Sequence, residues 1–495
     1  MRYRSTRSNS DSLSAREAVL KGIAPDGGLF VPDQMDFSAF PWETLMELST
    51  EEMAERVLAF FLSDFEDIPD IVSRSYTDKF DDPEITPLKK VGGRFVLELF
   101  HGPTAAFKDV ALSALPVLMS EARKQLGKKE RILILTATSG DTGKAAMEGF
   151  KDVPGTGIIV FYPYGGVSPV QQLQMSTADG RNVRSVAVRG NFDDTQTGVK
   201  KIFSALTETL ASENQTTLSS ANSINIGRLV PQIVYYFRAY AALLRSGEIS
   251  LGDPVDYTVP TGNFGDILAG YYAKKLGLPV GKLILSSNQN NVLRDFVNTG
   301  IYDKNRPFYR TNSPSMDILV SSNLERLLYD LSDGDCEMVR GLMESLNATG
   351  RFEIPGKMLG KLQESFASYD TNEEETVRTI REVYEKYGYL IDTHTAVAWA
   401  AADCYTENTG SVRPNVVLST ASAYKFPDAV REALNLPEVS DAFAVIPMIR
   451  DLTGAEVPKN LVDLDKRTVR FSDVIAIDEM PAYVKAAVDS GELYR

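Results

Sequence analysis

Cysteine and histidine are almost absent from this chain of 495 residues. Cys336 and Cys404 are its cysteines, and His101 and His394 are its histidines. Two cysteines without a C-x-x-C spacing exclude a disulfide framework, and they predict a reducing compartment, the cytoplasm. A zinc site of the His₂Glu type would use both histidines, so no metal site is predicted. If the chain is an enzyme, we expect an organic cofactor to supply its demanding chemistry.

Positive charge and long apolar runs are also lacking. Lys and Arg number 52 against 67 Asp and Glu, which gives a net charge of −15. Because nucleic acids and anionic membranes bind basic surfaces, neither is expected as a partner. The most apolar stretch, residues 229–244, is interrupted by Pro231, Gln232 and Arg238, so no transmembrane helix is predicted. No apolar segment follows the basic first residues, and we therefore expect no secretory signal.

The order of apolar and polar segments predicts an α/β protein. Apolar spacing over residues 42–62 favours an amphipathic helix within a mostly helical N-terminal region. From Arg131 a buried strand, a glycine-containing loop and a helix follow one another, and the same order recurs from Asp256. A further strand is expected from Val416, and a helix over 371–387 that ends at Gly388. Two such groups predict two parallel-sheet domains with a ligand between them.

Two loops in these groups have the character of anion sites. Residues 138–143 and 261–265 each follow a strand and open a helix, where free backbone N–H groups and the helix dipole attract negative charge. A tight turn that binds nothing remains the alternative for either loop. Neither loop has the spacing of a P-loop or of a dinucleotide-binding fingerprint, which counts against a dinucleotide-dependent dehydrogenase.

A third element is the segment His-Gly-Pro-Thr-Ala-Ala-Phe-Lys-Asp, which begins at His101. Thr104 is predicted to cap a helix at its N-terminus, with Lys108 in the first turn. A helix N-terminus disfavours a cation, and the same effect lowers the pKa of an amine. A lysine of lowered pKa is suited to forming a Schiff base.

This segment resembles the pyridoxal-phosphate lysine motif of threonine synthases. Further motifs follow the same family in order: Gly-Ile-Ala-Pro-Asp-Gly-Gly from Gly22, Thr-Ala-Thr-Ser-Gly-Asp-Thr-Gly from Thr136, Asn-Ser-Ile-Asn from Asn222, Val-Pro-Thr-Gly-Asn-Phe-Gly-Asp from Val259, Ser-Pro-Ser-Met-Asp-Ile from Ser313, Asp-Thr-His-Thr-Ala from Asp392 and Leu-Ser-Thr-Ala from Leu418. The resemblance covers residues 4 to beyond 430, and it is to the longer, bacterial and fungal branch. It implies fold type II of the pyridoxal-phosphate enzymes, with the cofactor between two α/β domains.

The resemblance also implies roles for individual residues. Lys108 is the catalytic residue and carries the cofactor. The other cofactor-binding residues are Thr261, Gly262, Asn263, Phe264 and Gly265 at the phosphate, Thr420 at the pyridine nitrogen, and Asn225 and Asp141 near the ring. The substrate-binding residues are Thr104, Ser139, Gly140, Thr142, Gly143, Arg228 for the substrate phosphate, and His394. For His394, packing in a helix start capped by Asp392 or Thr393 is the alternative.

The chain departs from the family at two of these positions. Asp141 stands where many fold type II enzymes have Asn, and an ionised carboxylate would repel the cofactor's phenolate oxygen. Ile226 and Gly227 stand where the family commonly has Trp and Ala, so the pocket loses an aromatic wall beside Arg228. Lys425, five residues after Thr420, keeps the spacing that is associated with this site.

The implied reaction converts O-phospho-L-homoserine and water to L-threonine and phosphate. A threonine or serine dehydratase is the nearest alternative, since it shares the cofactor but needs no second anion site at Arg228. A protein that binds phosphorylated ligands without catalysis is a second alternative. The presence of Lys108 counts against it. We expect a division into residues 1–95, 96–235, 236–435 and a C-terminal extension, 436–495. The sequence leaves open whether the protein is a monomer or a homodimer.

Overall fold

The structure is a computed structural model that describes residues 1–9, 12–138 and 140–494. Its strands, in chain order, are β1 (Arg2–Ser5), β2 (Leu13–Ser14), β3 (Phe30–Pro32), β4 (Leu88–Val91), β5 (Arg94–Glu98), β6 (Arg131–Ala137), β7 (Thr156–Pro163), β8 (Val183–Arg189), β9 (Thr216–Ser219), β10 (Val255–Pro260), β11 (Val280–Ser287), β12 (Ile301–Asp303), β13 (Arg351–Glu353), β14 (Phe366–Asp370), β15 (Asn415–Ser419) and β16 (Val474–Ala476).

The helices, in chain order, are α1 (Ala15–Lys21), α2 (Thr50–Phe61), α3 (Ile68–Tyr76), α4 (Lys108–Gln125), α5 (Asp141–Phe150), α6 (Pro169–Ser176), α7 (Phe192–Asn214), α8 (Ile226–Leu229), α9 (Val234–Arg245), α10 (Gly265–Lys275), α11 (Val292–Thr299), α12 (Leu324–Leu331), α13 (Cys336–Thr349), α14 (Gly356–Ser365), α15 (Glu373–Tyr387), α16 (Thr393–Thr409), α17 (Pro427–Ala433), α18 (Ala442–Thr453) and α19 (Met480–Asp489).

Two sheets organise the chain, which confirms the predicted α/β class. The larger sheet has the order β14-β11-β10-β15-β5-β4, and its strands are parallel except for β4, which pairs antiparallel with β5 at one edge. The smaller sheet has the order β16-β8-β7-β6-β9 and is parallel throughout. Strand β7 is buried along its whole length, as expected of a parallel strand covered by helices on both faces.

Strands from distant parts of the chain complete each sheet. Strand β5 lies at the start of the segment with the lysine motif, yet it pairs with β15 of the larger sheet. Strand β16, from the C-terminal extension, pairs with β8 of the smaller sheet. The N-terminal region contains the antiparallel sheet β2-β1-β3 beside its helices. The domain boundaries 95, 235 and 435 stay a prediction, and each of them has strands of one sheet on both of its sides.

Two local predictions about helix starts are wrong. The helix expected over 42–62 is a 3₁₀ turn, Trp42–Leu45, followed by α2, because Ser49 and Glu52 form a capping box that starts a new helix. Helix α4 begins at Lys108 with Phe107 as N-cap, and not after Thr104. The hydroxyl and amide of Thr104 instead donate to the carboxylate of Asp109, at 2.6 and 2.8 Å.

Other helix predictions are confirmed. Helix α15 ends at Gly388, whose φ of 63° is the left-handed conformation that glycine adopts readily. Helix α16 starts after Asp392, whose carboxylate accepts hydrogen bonds from the amides of His394 and Thr395. Among the described helices, none combines the length and the apolar character needed to cross a bilayer.

Candidate active site

The loop between β10 and α10 leaves several amides free. Thr261 is bonded within the fold: its amide donates to Ser286 O at 3.0 Å, and its hydroxyl donates to Val259 O at 2.7 Å. The amides at positions 262–265 donate to none of the described residues. Four N–H groups at a helix start, without partners among the described residues, are suited to an anion, because the helix dipole adds positive potential there.

Glycine is required in this loop by the close approach of another segment. A Cβ atom on Gly262 would lie 2.7 Å from the carbonyl oxygen of Ser315. Phe264 has a φ of 61° and is buried, with its ring centroid 5.7 Å from that of Phe366. The hydroxyl of Ser321 donates to Gly262 O at 2.7 Å. The loop is thus held by packing on one side while its amides stay unpaired.

Lys108 is buried at the first position of α4. Its Nζ donates to the Ser315 hydroxyl at 3.2 Å and lies 3.9 Å from Asp141 Oδ2. Burial is the main cause that lowers the pKa of Lys108 to about 8; the charges of Arg228 and Lys425 lower it further, and Asp141 opposes them. The sequence predicted a lowered pKa from the helix dipole, whereas desolvation is its principal cause.

Asp141, at the start of α5, is neutralised by a lysine from the far end of the chain. Its Oδ1 lies 2.7 Å from Nζ of Lys425 and accepts from Gln171 Nε2 at 2.9 Å. Burial raises the pKa of Asp141, but the charges of Lys425 and Lys108 outweigh it and hold this pKa well below its usual range. The carboxylate is therefore ionised and paired, which offsets the repulsion expected between it and a phenolate.

The start of α5 leaves two amides without a partner among the described residues. The amides of Gly140 and Gly143 both donate to the Thr138 hydroxyl at 2.9 Å. Those of Asp141 and Thr142 donate to none of the described residues. Ser139, predicted to bind the substrate carboxylate, lies outside the described residues. Two amides of the loop predicted to bind the substrate carboxylate are thus hydrogen-bonded within the loop, and two others have no partner among the described residues.

Arg228 is a buried cation without a carboxylate partner among the described residues. One of its terminal nitrogens donates to Ala221 O at 2.6 Å, and its buried Nε has no partner within the described part of the chain. Burial lowers the pKa of Arg228 to about 10, and its charge acts on Lys108. A buried guanidinium with an unpaired N–H group is suited to an anionic ligand, because that ligand would supply the missing acceptor.

Asn225 and Thr420 have partners within the fold. Asn225 caps α8 through its Oδ1, which accepts from Gly227 N at 2.9 Å, and its Nδ2 donates to Val19 O at 2.9 Å. The carbonyl of Thr420 accepts from the amide of Phe107 at 2.8 Å, which brings Thr420 beside the lysine motif. The roles predicted for both residues at the cofactor ring stay predictions.

His394 is held by Asp392, which the sequence offered as a helix cap, and by Ser315, which sequence reasoning did not single out. Its Nδ1 lies 2.7 Å from Asp392 Oδ2, and its Nε2 accepts from the amide of Ser315 at 3.1 Å. Because that amide is a donor, the ring proton lies on Nδ1 and is donated to Asp392. The sequence marked Ser315 only by its place in the family motif that begins at Ser313. It did not show that Ser315 would contact Lys108 and His394. The substrate-binding role of His394 stays a prediction.

Together these groups fit pyridoxal phosphate. Unpaired amides at the start of α10 suit its phosphate, and the low-pKa amine of Lys108 suits its aldehyde. Thr420 lies at the end of β15, next to the lysine motif, where the pyridine nitrogen is expected. A buried lysine and an amide-lined loop on two parallel-sheet α/β bodies define a pyridoxal-phosphate-dependent enzyme of fold type II.

Comparison with known proteins agrees and narrows the class. Residues 83–422 match the family model of pyridoxal-phosphate dependent enzymes, residues 2–76 match the model of the threonine synthase N terminus, and residues 395–487 match that of the threonine synthase C-terminal region. The chain belongs to the threonine synthase family.

Individual relatives are similar over most of this chain. Threonine synthase of Eremothecium gossypii is 36% identical, with 99% of each chain covered. The crystal structure of threonine synthase with bound pyridoxal phosphate from Brucella melitensis is 39% identical, with a TM-score of 0.87 and 99% of each chain covered. Human threonine synthase-like 1 is 40% identical over 86% of this chain, which spans only 58% of that relative's length.

Proposed function

We propose that the protein converts O-phospho-L-homoserine and water to L-threonine and phosphate. The observation that carries this proposal is a second buried cation, Arg228, near enough to the buried Lys108 for its charge to lower the pKa of that lysine. The unpaired Nε of Arg228 supports a second anion site in addition to the amides at 262–265. The cofactor phosphate would take the amides, so a substrate with its own phosphate needs this second site, whereas a dehydratase substrate does not.

The residues suggest how the cofactor is held. Lys108 would bind it covalently, the amides at 262–265 would hold its phosphate, and Thr420 would face the pyridine nitrogen. When bound, pyridoxal phosphate supplies an electron sink that stabilises negative charge at the substrate's α-carbon.

The side chains of the site supply the remaining steps. With a pKa of about 8, Lys108 exchanges a proton near neutral pH, so its free amine takes the proton from the α-carbon and returns it later. The amides of Asp141 and Thr142 receive the substrate carboxylate. Arg228 stabilises the substrate phosphate and the charge that grows on it as the bond to Cγ breaks. Cβ loses a proton as the phosphate leaves Cγ, and Cγ gains a proton. Water then gives its hydroxyl to Cβ and its remaining proton to the released phosphate, which balances the reaction.

Substrate choice tests the proposal directly. Full-length protein, purified with its cofactor, is assayed for phosphate release from O-phospho-L-homoserine and for deamination of L-threonine. We expect rapid phosphate release and slow deamination. Deamination without phosphate release would replace the proposal with a dehydratase function.

Two substitutions assign the roles. Lys108→Ala is expected to abolish turnover, while Lys124→Ala, an exposed lysine on the same helix, leaves it unchanged. Arg228→Lys keeps the charge but loses the planar donor arrangement, so we expect KM to rise about tenfold for the phosphorylated substrate. Arg245→Lys, an exposed arginine on α9, is its control. An unchanged KM in Arg228→Lys would remove this residue from the substrate phosphate site.

The setting of the reaction is part of the proposal. Cys336 and Cys404 are both free, which supports a reducing compartment, and we infer the cytoplasm. The net charge of −15 supports a small molecule as the partner, in preference to a nucleic acid or an anionic membrane.

A further inference from the structure

Ser315 joins three parts of the candidate site. It lies in the 3₁₀ turn Pro314–Met316, where its carbonyl packs against Gly262. Its hydroxyl accepts from Nζ of Lys108 at 3.2 Å and donates to Asp141 Oδ2 at 3.4 Å. Its amide donates to His394 at 3.1 Å. One residue thus bonds the reactive lysine, the paired carboxylate and a buried histidine.

The histidine that holds Ser315 is itself immobilised. Asp392 caps α16 through its carboxylate and accepts the Nδ1 proton of His394 at 2.7 Å. His394 is 2% exposed, and its ring centroid lies 4.9 Å from that of Phe426. Both ring nitrogens are therefore hydrogen-bonded within the fold. The hydrogen bond from the backbone amide of Ser315 connects His394 with the residue whose hydroxyl bonds Lys108.

We propose that Ser315 is a positioning residue that orients the free amine of Lys108, and that Asp392 and His394 act on this amine through Ser315. This inference deepens the proposed function and rests on its assignment of Lys108 to the cofactor. A lysine side chain has four rotatable bonds, so its amine needs fixed partners to stay aimed at one atom. Asp141 lies 3.9 Å away, beyond hydrogen-bonding distance, and Ser315 supplies the fixed hydrogen bond.

Removing the Ser315 hydroxyl has a defined electrostatic consequence. The charged groups that face Lys108 are Asp141, Asp109, Arg228 and Lys425, and Ser315→Ala retains them all. The protonated amine loses an acceptor, while the neutral amine loses little. The pKa of Lys108 is therefore expected to fall, and the amine becomes less ordered.

The test measures attachment of the cofactor to Lys108 in the absence of substrate. Full-length protein is stripped of cofactor, pyridoxal phosphate is added, and the growth of the visible band is followed by stopped-flow absorbance from pH 6 to 10. The rate rises with the fraction of neutral amine. In Ser315→Ala we expect the midpoint of the curve of rate against pH to move down by about 0.5–1 pH unit, and the rate at the high-pH plateau to fall about tenfold. Ser332→Ala, which loses a hydroxyl at the end of α12, is expected to match the wild type.

Variants of His394 separate positioning from substrate binding. His394→Ala is expected to shift the midpoint in the same direction as Ser315→Ala, and His394→Gln to restore it, because the Gln oxygen can accept the Ser315 amide. In both Ser315→Ala and His394→Ala, kcat falls while KM for O-phospho-L-homoserine stays within about twofold. An unchanged midpoint in Ser315→Ala overturns the proposal, as does a His394→Ala variant with raised KM and an unchanged midpoint. Since attachment needs no substrate, this result is independent of whether phosphohomoserine is the substrate.

Discussion

Lys425 has no exposed surface and neutralises a buried carboxylate, so its removal is expected to destabilise the fold strongly. Its Nζ lies 2.7 Å from Asp141 Oδ1 and donates to Thr104 O at 2.9 Å. The substitution Lys425→Met keeps most of the side-chain volume and removes the charge. Asp141 is then left 4% exposed, with Lys108 at 3.9 Å as its nearest remaining cation.

The size of this effect follows from the burial of the pair. Removing one partner of a buried ion pair costs about 3–5 kcal/mol, because the other charge stays desolvated without compensation. That is a large part of the roughly 5–15 kcal/mol by which folded proteins are stable. The double variant Lys425→Met/Asp141→Asn removes the stranded charge as well, so at least ~2 kcal/mol of the loss should be recovered.

Urea unfolding, followed by circular dichroism and by fluorescence, measures the free energies of unfolding. Lys466→Met is the control, since Lys466 forms an exposed pair with Asp463 at 2.7 Å and its loss should cost at most ~0.5 kcal/mol. A loss below ~1 kcal/mol in Lys425→Met, or a double variant no more stable than the single one, would refute the argument that the ion pair neutralises Asp141.

Two further predictions concern α10 and the loop before it. Gly262→Ala places a Cβ atom 2.7 Å from Ser315 O, so the loop must move. The affinity for pyridoxal phosphate, measured by fluorescence titration, should therefore fall at least about tenfold. An unchanged affinity would show that the loop does not hold the cofactor. Burial raises the pKa of Asp266 to about 7, above its ordinary 3.8, so the folded protein binds the extra proton and loses stability as pH rises towards 7. The free energy of unfolding should therefore fall between pH 5 and pH 8, and Asp266→Asn should reduce this fall by about 2–3 kcal/mol. An equal fall in the wild type and in the variant would contradict the raised pKa.

Local patterns predicted much of the fold because the forces that form single elements act over a few residues. The strand–loop–helix order from Arg131 and from Asp256 corresponds to β6–α5 and to β10–α10. Helix starts were less predictable. Ser49 interrupts a continuous apolar pattern with a cap, and Thr104 uses its side chain on Asp109 and does not cap a helix. Caps and competing side-chain bonds each contribute about 1 kcal/mol, which periodicity does not report.

The sequence by itself determined the class of cofactor and proposed Lys108 as the residue that carries it, because Lys108 and the two loops predicted to bind anions lie in short, contiguous motifs. The tertiary structure alone decided how the charges between those motifs are balanced. Lys425 pairs with Asp141, and Ser315 bonds Lys108 and His394, across long stretches of chain. The physical reason is that an ion pair or hydrogen bond forms wherever folding brings two groups within about 3 Å. Which groups come into contact depends on how distant strands and loops pack together, and no pattern within a short stretch of sequence predicts these contacts.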